Sequence, residues 1–145
     1  VSHLLQSWRF WAFAAAGFAA LTAILAKVGV SGVQSDVATL VRTAVILIFA
    51  GAIVVGSGQS GGLAQISGRS LVFLILSGLA TGASWLCYFR ALSLGEAARV
   101  APIDKLSVVL VAILGATFLG ETLSLAAWIG VGLIAAGAAL VASGW

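Results

Sequence analysis

Two ionisable side chains of opposite sign stand together in APIDKLSVVLVAILGATFLGE, residues 101–121: Asp104 and Lys105, at the head of an otherwise apolar run. A single guanidinium, Arg42, lies inside LVRTAVILIF with Thr39 and Thr43 close by. A further polar set, Ser77, Thr81, Ser84 and Tyr88, recurs at i, i+4, i+7 and i+11, which places it on one face of a helix. These groups bind by charge pairing and hydrogen bonding rather than by covalent chemistry. Cys87 and His3 each stand alone, so a disulfide framework, a clustered metal site or a nucleophile–base pair cannot be assembled within one chain. The expectation is a binding protein without catalytic residues, cofactor or metal.

The elements that must position these residues follow from composition. Of 145 residues 62% are hydrophobic and only 8% charged, against about 25% charged in a soluble domain. Such a chain lacks the polar surface to face water, and its apolar runs approach the ~20 residues that cross a hydrocarbon core. The formal net charge of +3 comes from basic residues scattered singly along the chain. That scatter fits membrane edges, not a phosphate-binding patch, so nucleic acid is not an expected partner.

Gly, Ser and charge clusters divide the chain into five apolar segments, about 8–28, 37–57, 70–92, 100–120 and 124–144. Backbone amides in hydrocarbon must be paired within a helix or a closed barrel, and these runs lack the alternation of barrel strands. The predicted fold is an all-α integral membrane protein, a bundle of five transmembrane helices forming one membrane domain over 1–145. The first segment is long for a signal-peptide core and is read as a retained span. The connections KVGVSGVQSD, GSGQSGGLAQISGR, SLGEAAR and GETLS are too short to hold a soluble domain; the Gly/Ser-rich second one reads as a flexible loop, and Ser35 and Asp36 as N-cap candidates for the second helix. Small residues one turn apart (Gly78 with Gly82, Ala112 with Ala116 and Gly120, Ala126 with Gly130, Gly132 with Ala136) mark faces for close helix packing.

Within this frame Pro102 reads as the first residue of the fourth helix, which puts Asp104 at the third helical position, near the positive dipole end, with Lys105 turned away from it. Asp104 and Lys105 then serve either as a helix-start residue and a head-group anchor or as the lining of a water-filled cavity. Arg42 lies about 9 Å along the helix from Asp36, near the limit of snorkelling; a cavity or salt-bridge role is expected, with Asp104 as partner. The hydroxyl line of the third span either faces the bundle interior or bonds to its own backbone. Trp85 and Phe89 continue the face that begins at Gly78 and Gly82. Glu121 closes the fourth span where a carboxylate opposes the helix dipole, and its role is not legible.

Taken together, SGLATGASWLCYFRALSLGEAARVAPIDKLSVVLVAILGATFLGETLSLAAWIGVGLIAAGAALV resembles the EamA-type repeat of the drug/metabolite transporter superfamily. The joining run ALSLGEAARVAPI, the closing FLGE and the final WIGVGLIAAGAALV carry the likeness, and Arg42 matches a basic residue early in the second span. The resemblance extends over essentially the whole chain. It implies one five-span repeat, similar to a short bacterial branch, where relatives carry two inverted repeats around a substrate cavity. The first span has no carboxylate, which departs from the four-span multidrug branch. By this resemblance the chain would be a small transporter in the bacterial cytoplasmic membrane, moving a small metabolite by alternating access as an antiparallel homodimer. Its cavity would be formed by Arg42, Thr43, Ser77, Thr81, Ser84, Trp85, Tyr88, Asp104 and Lys105. The distribution of Lys and Arg favours the amino terminus outside. The other reading is a non-transporting membrane subunit whose small-residue faces hold a different protein.

Overall fold

The computed structural model describes residues 7–144; His3 lies outside them. Among the described residues the regular structure is helical throughout: α1 (Trp8–Gly29), α2 (Ser35–Gly56), a 3-10 segment (Gln59–Gln65), α3 (Gly68–Leu94), α4 (Ala97–Asp104), α5 (Leu106–Phe118) and α6 (Leu125–Ser143). Five helical stretches are long and apolar enough to cross a membrane: α1, α2, α3, the run Ala97–Phe118 made of α4 and α5, and α6. The chain is an all-α, multi-pass membrane protein.

The helix ends show where local chemistry differs from expectation. The second helix begins at Ser35 with Gln34 as its N-cap, in extended conformation and without a side-chain cap. Ser35 is instead buried, its hydroxyl donating to Asp36 Oδ1 at 3.3 Å, and Asp36 sits in the first turn where the dipole favours an anion. The Gly/Ser-rich connection holds a 3-10 segment rather than an unstructured loop; Gly58 takes the left-handed conformation at φ 70° that turns the chain out of α2. The last helix is capped by Ser124, whose Oγ accepts from the Ala127 amide at 3.2 Å.

The fourth span departs most. Its helix starts at Ala97, because Glu96 takes the extended cap conformation and its carbonyl accepts from both the Arg99 and Val100 amides at 3.0 Å. Pro102 is therefore inside the helix, not at its first position. Proline has no amide to donate, and its ring crowds the preceding turn. Three residues later the helix is interrupted at Lys105, whose amide is shared between the carbonyls of Ala101 (3.3 Å) and Pro102 (3.2 Å). Asp104 consequently ends one helix instead of starting one.

The chain forms two compact units. In one, Leu25–Leu94, helices α2 and α3 pack together with the last residues of α1. Its interior is formed by Ala26, Val30, Ser35, Thr39, Phe89 and Leu92, the last fully buried. The other unit takes the described residues of Val1–Ile24 and Gly95–Trp145; there α6 packs against both α4 and α5, with Ala23, Gly115 and Ala138 buried. Large apolar side chains such as Phe73, Leu74, Ile75, Leu114 and Leu133 are exposed. In a bilayer those surfaces meet acyl chains, which are as apolar as leucine. Added side chains at Gly78, Gly82, Gly130 and Gly132 would meet nothing within 4 Å, so among the described residues these glycines close-pack on no neighbour within their own unit.

Candidate functional site

Two stripes meet in the unit Leu25–Leu94. Along α2, Ser35, Thr39 and Arg42 share a face at i, i+4 and i+7; along α3, Trp85, Phe89 and Leu92 do the same. Ser35, Thr39, Phe89 and Leu92 are buried, and Arg42 and Trp85 half-buried. The Arg42 guanidinium lies over the Trp85 ring, 4.0 Å from its centroid, and 5.5 Å from that of Phe89. Tyr88 is half-buried on the same helix. An aromatic face attracts a cation through its quadrupole, by about 0.5–2 kcal/mol depending on how dry the site is. Trp85 and Phe89 thus give a charge inside an apolar helix a partner within the protein.

The hydroxyls beside Arg42 are already committed. Thr39 donates to the Ser35 carbonyl at 2.9 Å and Thr43 to the Thr39 carbonyl at 2.8 Å, the self-bonding that lets hydroxyls sit inside an apolar helix. On α3, Thr81 donates to the Ser77 carbonyl at 2.8 Å. Ser77, Thr81 and Ser84 are exposed, as are Leu74, Leu76 and Leu79, while Tyr88 is half-buried. The inward face of α3 is therefore the aromatic one, Trp85 and Phe89.

At the loop end of this unit, a cavity of about 600 Å³ is lined by Lys27, Val28, Val30, Ser31, Gly32, Val33, Leu92 and Ser93. Lys27 donates from Nζ to the Leu92 carbonyl at 2.7 Å. A cation in the last turn of α1 thereby satisfies a carbonyl in the last turn of α3 that has no partner within its own helix. Sequence reasoning placed Lys27 only at a span end. Its position as the basic residue of a last turn was the available signal.

The other unit holds Asp104 and Lys105. They are paired with each other, Nζ to Oδ2 at 3.3 Å, with the Lys105 side chain 53% and the Asp104 side chain 36% exposed. Adjacent positions at a helix interruption bring the two together, against the expectation that Lys105 turns away. Arg42 and Asp104 thus each have a partner in their own unit. Arg99 donates to the Gly144 carbonyl at the end of α6. Glu121 folds back on the end of α5: its amide donates to the Gly115 carbonyl at 3.1 Å, and its Oε2 would stand 2.7 Å from a Cβ added at Gly115. Gly120, at φ 67°, provides the turn. Among the described residues no group of His, Cys, Asp and Glu could hold a metal ion.

The sequence model of the EamA-like transporter family matches residues 6–143. A protein of Sinorhizobium sp named as an uncharacterized transporter in the cobO 3' region is 64% identical over 137 residues, covering 94% of this chain and 97% of that one. No solved structure matches the chain significantly.

Proposed function

The chain belongs to the EamA-like transporter family, and from that premise we propose that it moves a small metabolite across the bacterial cytoplasmic membrane by alternating access, as an antiparallel homodimer. The observation that carries the reading is Arg42, a charge within a span, stacked on Trp85 at 4.0 Å. Intramembrane charges are costly and ordinarily serve a pathway. Arg42, Thr43, Trp85 and Tyr88 form the binding end of one unit, and Ser77, Thr81 and Ser84 its hydroxyl line. Asp104 and Lys105 supply a second polar point in the other unit, and the whole of 1–145 works as one membrane domain. An odd number of spans sets the two termini on opposite sides, so an inverted pair needs one copy upside down. The open space around Gly78, Gly82, Gly130 and Gly132 supports a second chain packing on those faces.

Liposomes holding only the purified chain test this. Saturable uptake from a substrate panel that disappears in Arg42→Gln is the expected result. No uptake of any panel member, while co-expression with another membrane protein restores it, would instead establish the subunit reading. Carboxyl-terminal reporters active on only one side of the membrane decide the dimer: both must signal.

A further inference from the structure

Resting on Arg42 as the centre of the substrate site, we propose that this site selects small monocarboxylate anions, whose two oxygens are taken by the N–H groups of the Arg42 guanidinium. Its protein contacts are the rings of Trp85 and Phe89, and among the described residues none of its N–H groups donates to an acceptor. Aromatic rings occupy the flat face of a guanidinium and leave its rim of five donors available. That rim matches a carboxylate, which accepts two parallel bonds in one plane.

Charge narrows the class. Of the other charged residues in Leu25–Leu94, Lys27 is bonded to the Leu92 carbonyl. Asp36 accepts from Ser35 and lies six residues, about 9 Å, before Arg42 along α2. Arg69 begins α3, far along the helix from Trp85, and Arg90 is exposed. One cation therefore serves the cradle. A monoanion bound there makes a neutral pair, the form least costly to hold away from water. A phosphate dianion leaves one negative charge uncompensated, and a zwitterion brings an ammonium for which the cradle has no carboxylate.

The full chain in lipid nanodiscs, followed by thermal unfolding at fixed ionic strength, gives the test with lactate, benzoate, inorganic phosphate and methylammonium as probes. At a pH above about 8, where inorganic phosphate is the dianion, lactate and benzoate should raise the unfolding midpoint saturably; phosphate and methylammonium should not. Arg42→Lys keeps the charge but loses the planar fork, and should raise the half-saturating concentration by about tenfold. Arg42→Gln should abolish the response. A shift with phosphate or methylammonium and none with the carboxylates, no shift with any probe, or an undiminished carboxylate shift in Arg42→Lys would each overturn the assignment. Liposome uptake separates it from the transport reading: carboxylate binding without lactate uptake upholds the ligand class and sinks transport, whereas uptake of another solute that neither carboxylate inhibits does the reverse.

Discussion

The two units handle charge in opposite ways. In Leu25–Leu94 the Arg42 guanidinium is held by aromatic faces, 4.0 Å from Trp85, and its hydrogen-bonding capacity is left open. In the unit containing Gly95–Trp145 the charges of Asp104 and Lys105 meet each other at 3.3 Å and are partly open to solvent. A ring attracts a cation without neutralising it, so the first arrangement retains an electrostatic demand that a ligand can meet. An adjacent ion pair has already met its own. On the binding role proposed for Arg42, what matters is less how many charges enter the membrane than what kind of partner each one has.

The largest consequence of that difference falls on Arg42. If Arg42 binds the substrate as proposed, Arg42→Ala removes charge-assisted bonds worth about 1.5–3 kcal/mol, and uptake efficiency should drop roughly 10- to 100-fold. Measured flux within about threefold of the parent chain would erase the distinction between the units. Lys27→Met comes next. It removes the bond to the Leu92 carbonyl and should lower stability by about 1–2 kcal/mol, seen as an earlier unfolding transition in detergent, with little change in which solutes are bound.

In the other unit the effects should be small and mutually dependent. A double-mutant cycle with Asp104→Asn and Lys105→Gln should give a coupling of no more than about 1 kcal/mol, because the pair is solvent-screened. A larger coupling would place the pair in a drier setting, like that of Arg42. Smallest of all is Gly115→Ala. The added methyl meets only the far end of the flexible Glu121 side chain, and alanine favours a helix by about 0.5–1 kcal/mol. Stability should stay level or rise by less than about 1 kcal/mol; a clear fall in the unfolding midpoint would mean that the folded-back carboxylate matters to the end of α5.

The five spans were legible because lipid imposes a simple rule, length and apolarity together. The segments expected at 8–28, 37–57 and 124–144 correspond to Trp8–Gly29, Ser35–Gly56 and Leu125–Ser143. The interruption at Lys105 was not legible. Proline is welcome at a helix start, and only the extended conformation of Glu96 shows that the helix began five residues before Pro102. For Arg42 charge complementarity in the sequence pointed to Asp104 as partner, and the structure sets the rings of Trp85 and Phe89 beside the guanidinium. Cation–ring attraction has no sequence spacing of its own when the partners lie on different helices. Lys27 was harder still, since its acceptor is a main-chain carbonyl and every residue has one.

The amide shared at Lys105 also has a structural meaning. With acceptors on Ala101 and Pro102 at nearly equal distances, 3.3 and 3.2 Å, it is a three-centre donor committed fully to neither carbonyl. The span Ala97–Phe118 is thus two helices meeting at one shared amide rather than a single continuous helix. The break lies beside the only proline in the chain, and both halves of the span pack on α6, α4 also through the bond from Arg99 to the Gly144 carbonyl.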